Sequence, residues 1–385
     1  MTDLPRPPAK PARPYFSSGP CVKRPGWNPE SLQDALLGRS HRAKPGKARL
    51  AEAATLTHRL LGLPKDYRVG IMPASDTGAF EAAMWSMLGA RGIEVLAWES
   101  FGSGWANDIV KELRLEDVRL TEAAYGALPD LSNVDFSRDV IFTWNGTTSG
   151  VRVPDGRWIP DDRQGLTFAD ATSAAFAQRI DWPKVDVATF SFQKALGGEA
   201  QHGVLILSPR AVQRLENFAP KRPIPKIFRL AKAGKLIQGI FEGETINTPS
   251  MLVIEDYLDA LRWAESIGGH DKLVARADAN AAVVDRWVAK TPWVRHLAAD
   301  PTTRSNTSVC LAFADPAVPA ERQAGLAKAI AQRLEAEGAA YDIGAYRDAP
   351  PGLRIWCGST VETSDLDALM PWLDWAYRSE TEMRT

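Results

Sequence analysis

The sequence predicts an α/β protein: a mostly parallel sheet with helices in the first two thirds, then a smaller α+β domain. Three observations predict it. Between residues 67 and 210, short apolar runs alternate with amphipathic stretches, the pattern of strands joined by crossover helices. An amphipathic segment at 254–267 ends in Gly268-Gly269, a helix stop that marks a junction. Beyond it, two further helix-then-strand pairs follow. The expected strands of the first part are 67–73 (YRVGIMP), 93–98 (IEVLAW), 140–144 (VIFTW), 166–169 (LTFA), 185–192 (VDVATFSF) and 203–207 (GVLIL). Helical periodicity falls at 78–88 and 107–113. The second part is expected to carry helices at 272–288 and 320–337 and strands at 308–313 and 352–357. The resulting division is a disordered proline-rich tail at 1–14, a large domain at 15–255 whose first residues pack near the small domain, and a small domain at 256–385.

Composition narrows the function. The 385 residues are 45% hydrophobic and 24% charged, the balance of a globular protein with a sizeable core. With 46 basic and 47 acidic residues, the net charge is −1, which gives no electrostatic case for nucleic acid or an anionic membrane. Cys21, Cys310 and Cys357 lie far apart, without the spacing of a disulfide framework or a zinc site, and no metal is expected. No signal-like start and no apolar run of membrane-spanning length are visible, so a cytoplasmic protein is expected.

In parallel sheets, ligands collect beyond the carboxyl ends of the strands, and the chemically suggestive residues fall there. The segment 189–198 (TFSFQKALGG) delivers Gln193 and Lys194 at a strand end. A lysine desolvated at that position can form a Schiff base with a carbonyl; the alternative is a snorkelling surface lysine. In 166–175 (LTFADATSAA), Asp170 closes a strand and can hold a pyridinium nitrogen protonated, or simply cap a helix. At 73–81 (PASDTGAFE), Ser75, Thr77 and the amides near Gly78 suit a phosphate at a helix N-terminus, although Asp76 sits awkwardly beside an anion. Trp105, among glycines at 101–105 (FGSGW), is expected on a loop where it can stack on a flat cofactor, or in ordinary packing, as one of 13 tryptophans. Thr147, in the turn-like 145–150 (NGTTSG), offers a hydroxyl.

An aromatic, an aspartate and a lysine in that order, each at a strand end, resemble the class V aminotransferases of fold type I, and among them the phosphoserine aminotransferases. The resemblance also rests on 16–20 (FSSGP), 40–42 (SHR), 225–237 (PKIFRLAKAGKLI) and 243–252 (GETINTPSML), and it runs over nearly the whole chain after the tail. It implies a seven-stranded large-domain sheet, pyridoxal 5'-phosphate as cofactor, and a homodimer with shared active sites. It further implies Lys194 as the cofactor-bound lysine and proton shuttle, Asp170 against the pyridine nitrogen, and Trp105 stacked on the ring. Thr147 lies near the phenolic oxygen, while Asp76, Thr77 and Gln193 surround the phosphate, joined by Asn247 and Thr248 of the neighbouring subunit. For substrate it implies His41 and Arg42 at a phosphate and Arg354 at the α-carboxylate. The implied reaction moves an amino group between glutamate and 3-phosphohydroxypyruvate, in serine biosynthesis; 4-phosphohydroxythreonine of vitamin B6 synthesis is left open.

The sequence departs from the commoner branch at two places. Thr77 stands where that branch has an arginine, and Tyr346-Arg347-Asp348 replaces a His-Arg pair. Arg347, Lys44 or the basic stretch 221–235 are candidates to compensate. Within the class, a serine– or alanine–glyoxylate aminotransferase is the alternative, against which His41-Arg42 argues. A desulfurase is disfavoured because Cys357 sits in an expected strand. His58, His270 and His296 are read as structural, and His202 as a residue that shapes the lysine loop.

Overall fold

A computed structural model describes residues 4–382. The large domain is built on seven strands: β1 (Arg68–Pro73), β2 (Ile93–Ala97), β3 (Val118–Glu122), β4 (Asp139–Thr143), β5 (Thr167–Asp170), β6 (Val187–Ser191) and β7 (His202–Leu207). They lie in the order β1-β7-β6-β5-β4-β2-β3. Only β7 runs against its neighbours. Alternate residues of each strand feed different cores. Val140, Phe142, Val204 and Ile206 pack with Leu50, Ala53 and Leu56 of α1 (Lys44–Leu60), whereas Ile141, Leu205 and Leu207 pack with Ala79, Phe80 and Ala83 of α2 (Ser75–Met87). Burial of both faces is why these strands read as unbroken apolar runs.

Several elements were not visible in the sequence, among them one strand of the large sheet and the first and last helices. Strand β3 is an edge strand with the mixed sequence VRLTE, mostly open to solvent, where charge protects an unpaired edge. Helix α1 begins without a side-chain cap and carries Pro45 in its first turn. The last helix, α8 below, carries Pro371 in its interior beside the three bulky aromatics Trp372, Trp375 and Tyr377. The helix expected at 107–113 starts earlier, as α3 (Ser100–Asn107), and continues into one wider turn at Asp108–Glu112. Trp105 therefore sits on a helix and not on a loop, because the Glu99 carboxylate accepts the Gly102 N–H (2.8 Å) and caps a helix where the glycines had suggested none. After α4 (Pro209–Asn217), α5 (Met251–Ser266) places Ile254, Leu258 and Leu261 in the large-domain core. The two cores divide along α6 (Gly269–Val288), not at residue 255: Leu273 and Ala277 join the first core, and Ala281, Val284 and Trp287 the second.

The second core is closed by the antiparallel strands β8 (Val294–His296), β9 (Ser308–Phe313) and β10 (Gly352–Trp356), with α7 (Ala320–Ala336) and α8 (Thr363–Glu382). Residues 4–14, expected as a solvated tail, lie along α8; residues 1–3 fall outside the described residues. Prolines have no N–H to donate to a ladder, and here main-chain carbonyls of the segment accept from indole donors. Trp375 Nε1–H donates to Leu4 O (3.1 Å), Trp372 Nε1–H to Ala9 O (2.7 Å), and the Ala12 N–H is held by Asp365 (2.7 Å). Phe16 then enters the small-domain core, and its carbonyl accepts the Trp356 N–H (3.1 Å).

At the edge of the sheet remote from the lysine, the fully buried Asp186 ties several strand ends together. It accepts from Thr167 N–H (3.0 Å), Ser208 Oγ–H (3.0 Å), Arg163 Nε–H (3.1 Å) and Arg210 Nη1–H (2.8 Å). Asp186→Ala leaves the buried Arg163 guanidinium uncompensated and is expected to cost about 3 kcal/mol or more in urea unfolding. Cofactor affinity of the folded fraction is expected to stay unchanged; equal loss of both would show that this cluster does more than hold the strands.

Candidate active site

Five of the seven strands end on one cavity of about 170 Å³, lined by Asp76, Thr77, Trp105, Thr147, Asp170, Gln193 and Lys194, with Glu99 and Phe101 at its rim. All seven residues are thus brought together as expected. His41, Arg42, Asn247, Thr248, Arg347 and Arg354 do not line it.

Lys194 follows the end of β6, and its ammonium donates to the Ser18 carbonyl (2.7 Å). Glycine is needed at position 19, since a Cβ there would strike the Lys194 amine. Burial pulls this amine below the usual lysine range; Arg354 adds to the shift, and Cys21, Asp170 and Asp76 oppose it. Beside it, burial pushes the Cys21 thiol up to about 12, so that neighbour is neutral and not a nucleophile. On β5, both carboxylate oxygens of Asp170 are engaged: Trp105 Nε1–H donates to one (3.0 Å) and the Thr172 N–H to the other (3.0 Å). The Trp105 ring rests on Phe80, with centroids 4.6 Å apart.

Between β1 and α2 the backbone turns through two successive left-handed residues, Ala74 (φ 60°) and Ser75 (φ 54°). Non-glycine residues resist that conformation at about 1–2 kcal/mol each, and such strain is kept where a function uses it. Here it aims the first turn of α2 into the cavity, where the N-cap residue Ala74 has no side chain to cap it. Ser191 Oγ accepts the Asp76 N–H (2.7 Å), and the positive dipole end of the helix favours an anion beside it. The awkward Asp76 is resolved by its surroundings: burial, then the nearby Asp170 charge, hold its pKa well above the usual carboxylate range, so it is neutral beside the anion.

Sequence reading missed Glu99. Its carboxylate caps α3, which carries Trp105, and also accepts Thr148 Oγ1–H (2.8 Å) and the Thr148 N–H (3.3 Å), next to Thr147. It therefore fixes the Trp105 helix relative to the turn that carries Thr147. The only trace in the sequence was an acidic residue immediately after a buried strand. Thr147 itself donates to Ser173 Oγ (2.7 Å).

Arg354, on β10, is half-buried; among the described residues no carboxylate pairs with it, and its Nε has no acceptor. His41 is buried just before α1, where burial and then Arg42 lower its pKa, while Arg42 is exposed. Asn247 and Thr248 are exposed on the loop at 243–250. His202 reaches that loop: its Nδ1–H donates to Met72 O (3.3 Å) and its Nε2 accepts the Ser250 N–H (3.1 Å), which fixes a neutral ring. His58 and His270 each bond a main-chain carbonyl and His296 lies against Asp285, all away from the cavity.

The residues present fit pyridoxal 5'-phosphate. An uncapped helix end meets a phosphate, and Asp170 can face a pyridine nitrogen. A desolvated lysine is there to meet a carbonyl, and Asp76 Oδ1, Thr172 Oγ1 and Gln193 Oε1, all at the cavity, have no other partner. Fold and site together define a pyridoxal-phosphate-dependent aminotransferase of fold type I. No protein-family model matches the chain. A curated relative, phosphoserine aminotransferase from Methanosarcina mazei, is 59% identical over 372 residues, covering 97% of this chain and 99% of its own length. The chain belongs to the phosphoserine aminotransferase family. The crystal structure of a phosphoserine aminotransferase from Cytophaga hutchinsonii superposes with a TM-score of 0.80 at 23% identity, covering 94% of this chain and 98% of that one. An alanine–glyoxylate aminotransferase from Nostoc superposes nearly as well, with a TM-score of 0.78 at 19% identity and coverages of 98% and 100%. Fold alone therefore does not separate these activities.

Glu99 supplies a pH test. Burial raises its pKa to about 7, above its ordinary 4.5. The native state thus holds this proton more tightly than the unfolded chain, so the contribution is complete below the ordinary value and is lost as pH rises through 7. Relative to Glu99→Gln, wild-type protein is expected to lose on the order of 3 kcal/mol between about pH 5 and about pH 8. Urea unfolding of both proteins across that range checks it, and parallel curves would contradict it.

Proposed function

We propose that this chain catalyses reversible amino transfer between L-glutamate and 3-phosphohydroxypyruvate, giving 2-oxoglutarate and O-phospho-L-serine for serine formation. The observation that carries the reading is the pairing of a desolvated Lys194 amine, which shares one cavity with Asp170, with a half-buried Arg354 that pairs with no carboxylate among the described residues. When bound, pyridoxal phosphate supplies an electron sink for the bonds at the substrate α-carbon. Every other part is the protein's. Asp170 keeps a proton on the ring nitrogen and is itself oriented by Trp105 and the Thr172 amide. Trp105 covers the ring, Thr147 bonds the phenolic oxygen, and the first turn of α2 with Asp76, Thr77 and Gln193 holds the phosphate. Arg354 takes the α-carboxylate through its planar fork. The Lys194 amine, kept from full protonation by burial, removes the proton at the substrate α-carbon and returns it one step later.

The homodimer belongs to the same reading. Asn247, Thr248, Arg42 and His41 do not line the cavity, and in this reading they serve the active site of a second copy, where the exposed loop at 243–250 would meet the cofactor phosphate. Arg347, exposed beside the cavity mouth, is the candidate for the substrate's phosphate where the family's His-Arg pair is absent. Three buried free cysteines suit the reducing cytoplasm, and among the described residues no helix is long and apolar enough to cross a membrane.

Two experiments test this. Mixed with O-phospho-L-serine and no keto acid, the yellow holoenzyme is expected to lose its visible cofactor band, whereas L-serine leaves it largely intact. Equal bleaching by serine would favour the glyoxylate-type enzymes. In steady state, Lys194→Ala is expected to lower kcat by roughly a thousandfold or more. Arg354→Lys is expected to raise KM for both amino acids by roughly tenfold or more, because a point charge cannot replace a bidentate fork. Unchanged KM in that variant would remove Arg354 from the carboxylate site.

A further inference from the structure

Tyr346 opens the segment Tyr346-Arg347-Asp348, and no role so far has been given to it. Its half-buried ring lies at the mouth of the cavity and touches both domains. The Phe101 ring, on α3 at the cavity rim, is 5.5 Å away between centroids. Two guanidiniums approach the same ring: Arg354 Cζ at 5.8 Å and Arg347 Cζ at 5.7 Å from its centroid. The base of the segment is fixed, since the Arg354 N–H donates to Ile343 O (2.8 Å) and Gly344 bridges Leu353.

An arginine that must await a substrate anion has a physical problem. Paired with a protein carboxylate it would be occupied, and left alone its long side chain would wander or stay hydrated. An aromatic face resolves this: its quadrupole attracts the guanidinium without neutralising the fork that the substrate needs. Arg354 shows that condition, with no carboxylate partner among the described residues and an aromatic ring within reach. Arg347 has the same ring and, as its one ion pair among the described residues, the adjacent Asp348 (3.4 Å), a solvent-exposed contact too weak to occupy the guanidinium.

We infer that Tyr346 is a positioning residue that presents Arg354 to the substrate's α-carboxylate and Arg347 to its phosphate, with Phe101 fixing the ring at the cavity mouth. This rests on the aminotransferase reading above and assigns how its two-anion substrate is gripped where the His-Arg pair is missing. The ring carries the role and the hydroxyl does not, so phenylalanine should suffice and an aliphatic residue should not.

The test compares wild-type holoenzyme with Tyr346→Phe and Tyr346→Leu. Calorimetric titration with 2-phosphoglycolate, which has a carboxylate and a phosphate but no amino group, reads binding without turnover. Kinetics with O-phospho-L-serine separate KM from kcat. Tyr346→Phe is expected to stay within roughly twofold of wild type, while Tyr346→Leu weakens both Kd and KM by roughly fivefold to tenfold with kcat within roughly twofold. Three proteins alike in Kd would overturn the inference, as would a phenylalanine variant as weak as the leucine variant, or a fall in kcat at constant KM. Wild-type protein inert toward phosphoserine would instead sink the proposed reaction, and the 2-phosphoglycolate comparison would still decide the role of Tyr346.

Discussion

The edge of a parallel sheet delivers all its strand ends to one place, and whatever charge those ends carry must live there without water. This chain sends Asp76, Glu99, Asp170 and Lys194 to that place. Left fully ionised, three carboxylates would repel one another and the cofactor's phosphate. Burial settles the conflict by discharge: it raises Asp76 and Glu99 and lowers Lys194. Asp170 is treated differently, since it receives an indole N–H and a backbone N–H on its two oxygens. The same desolvation that costs stability therefore leaves a neutral scaffold and a usable amine around a carboxyl group held by two hydrogen bonds.

Most of the sheet was legible because strands buried on both faces leave an unmistakable apolar run, and six of seven fell within a few residues of their sequence positions. The seventh, β3, is an edge strand and keeps only half the code. The seven residues that line the cavity were found because strand ends are places where a polar residue stands out against apolar neighbours. Glu99 was not, because its importance lies in what it joins: a cap for one helix and an anchor for the Thr147 turn. Tyr346 was noticed only as a departure from a pattern. Its neighbour Phe101 lies far off in the sequence and in the other domain, and no local periodicity encodes that contact. The loop assigned to Trp105 failed for a related reason, since the glycines and serine of 101–105 outweighed a cap whose acceptor, Glu99, lay outside the segment.

Several contacts join the small domain to the chemistry. Ser308 of β9 donates its hydroxyl to the Thr147 carbonyl (2.6 Å), Tyr346 meets the Phe101 ring, and the segment after the proline-rich stretch anchors Phe16 beneath β10 and then lays the Ser18 carbonyl on Lys194. The amine's solvation is thus set in part by a piece of chain that belongs to the other core. The prolines serve this anchoring: they cannot enter a ladder, and their stiffness keeps the segment extended along α8 while indoles bond its carbonyls.

That anchoring fixes an order of events during synthesis. A segment made early finds its place late, because Phe16 has no core to enter until Gly352–Trp356 and the aromatics of α8 have been made. The large-domain sheet, complete by residue 207, can assemble well before then. Docking of the Phe16 segment is a long-range contact of the slow kind, and it coincides with the covering of Lys194 by Ser18. Synthesis of the small domain, rather than completion of the sheet, is what lets that segment cover the amine.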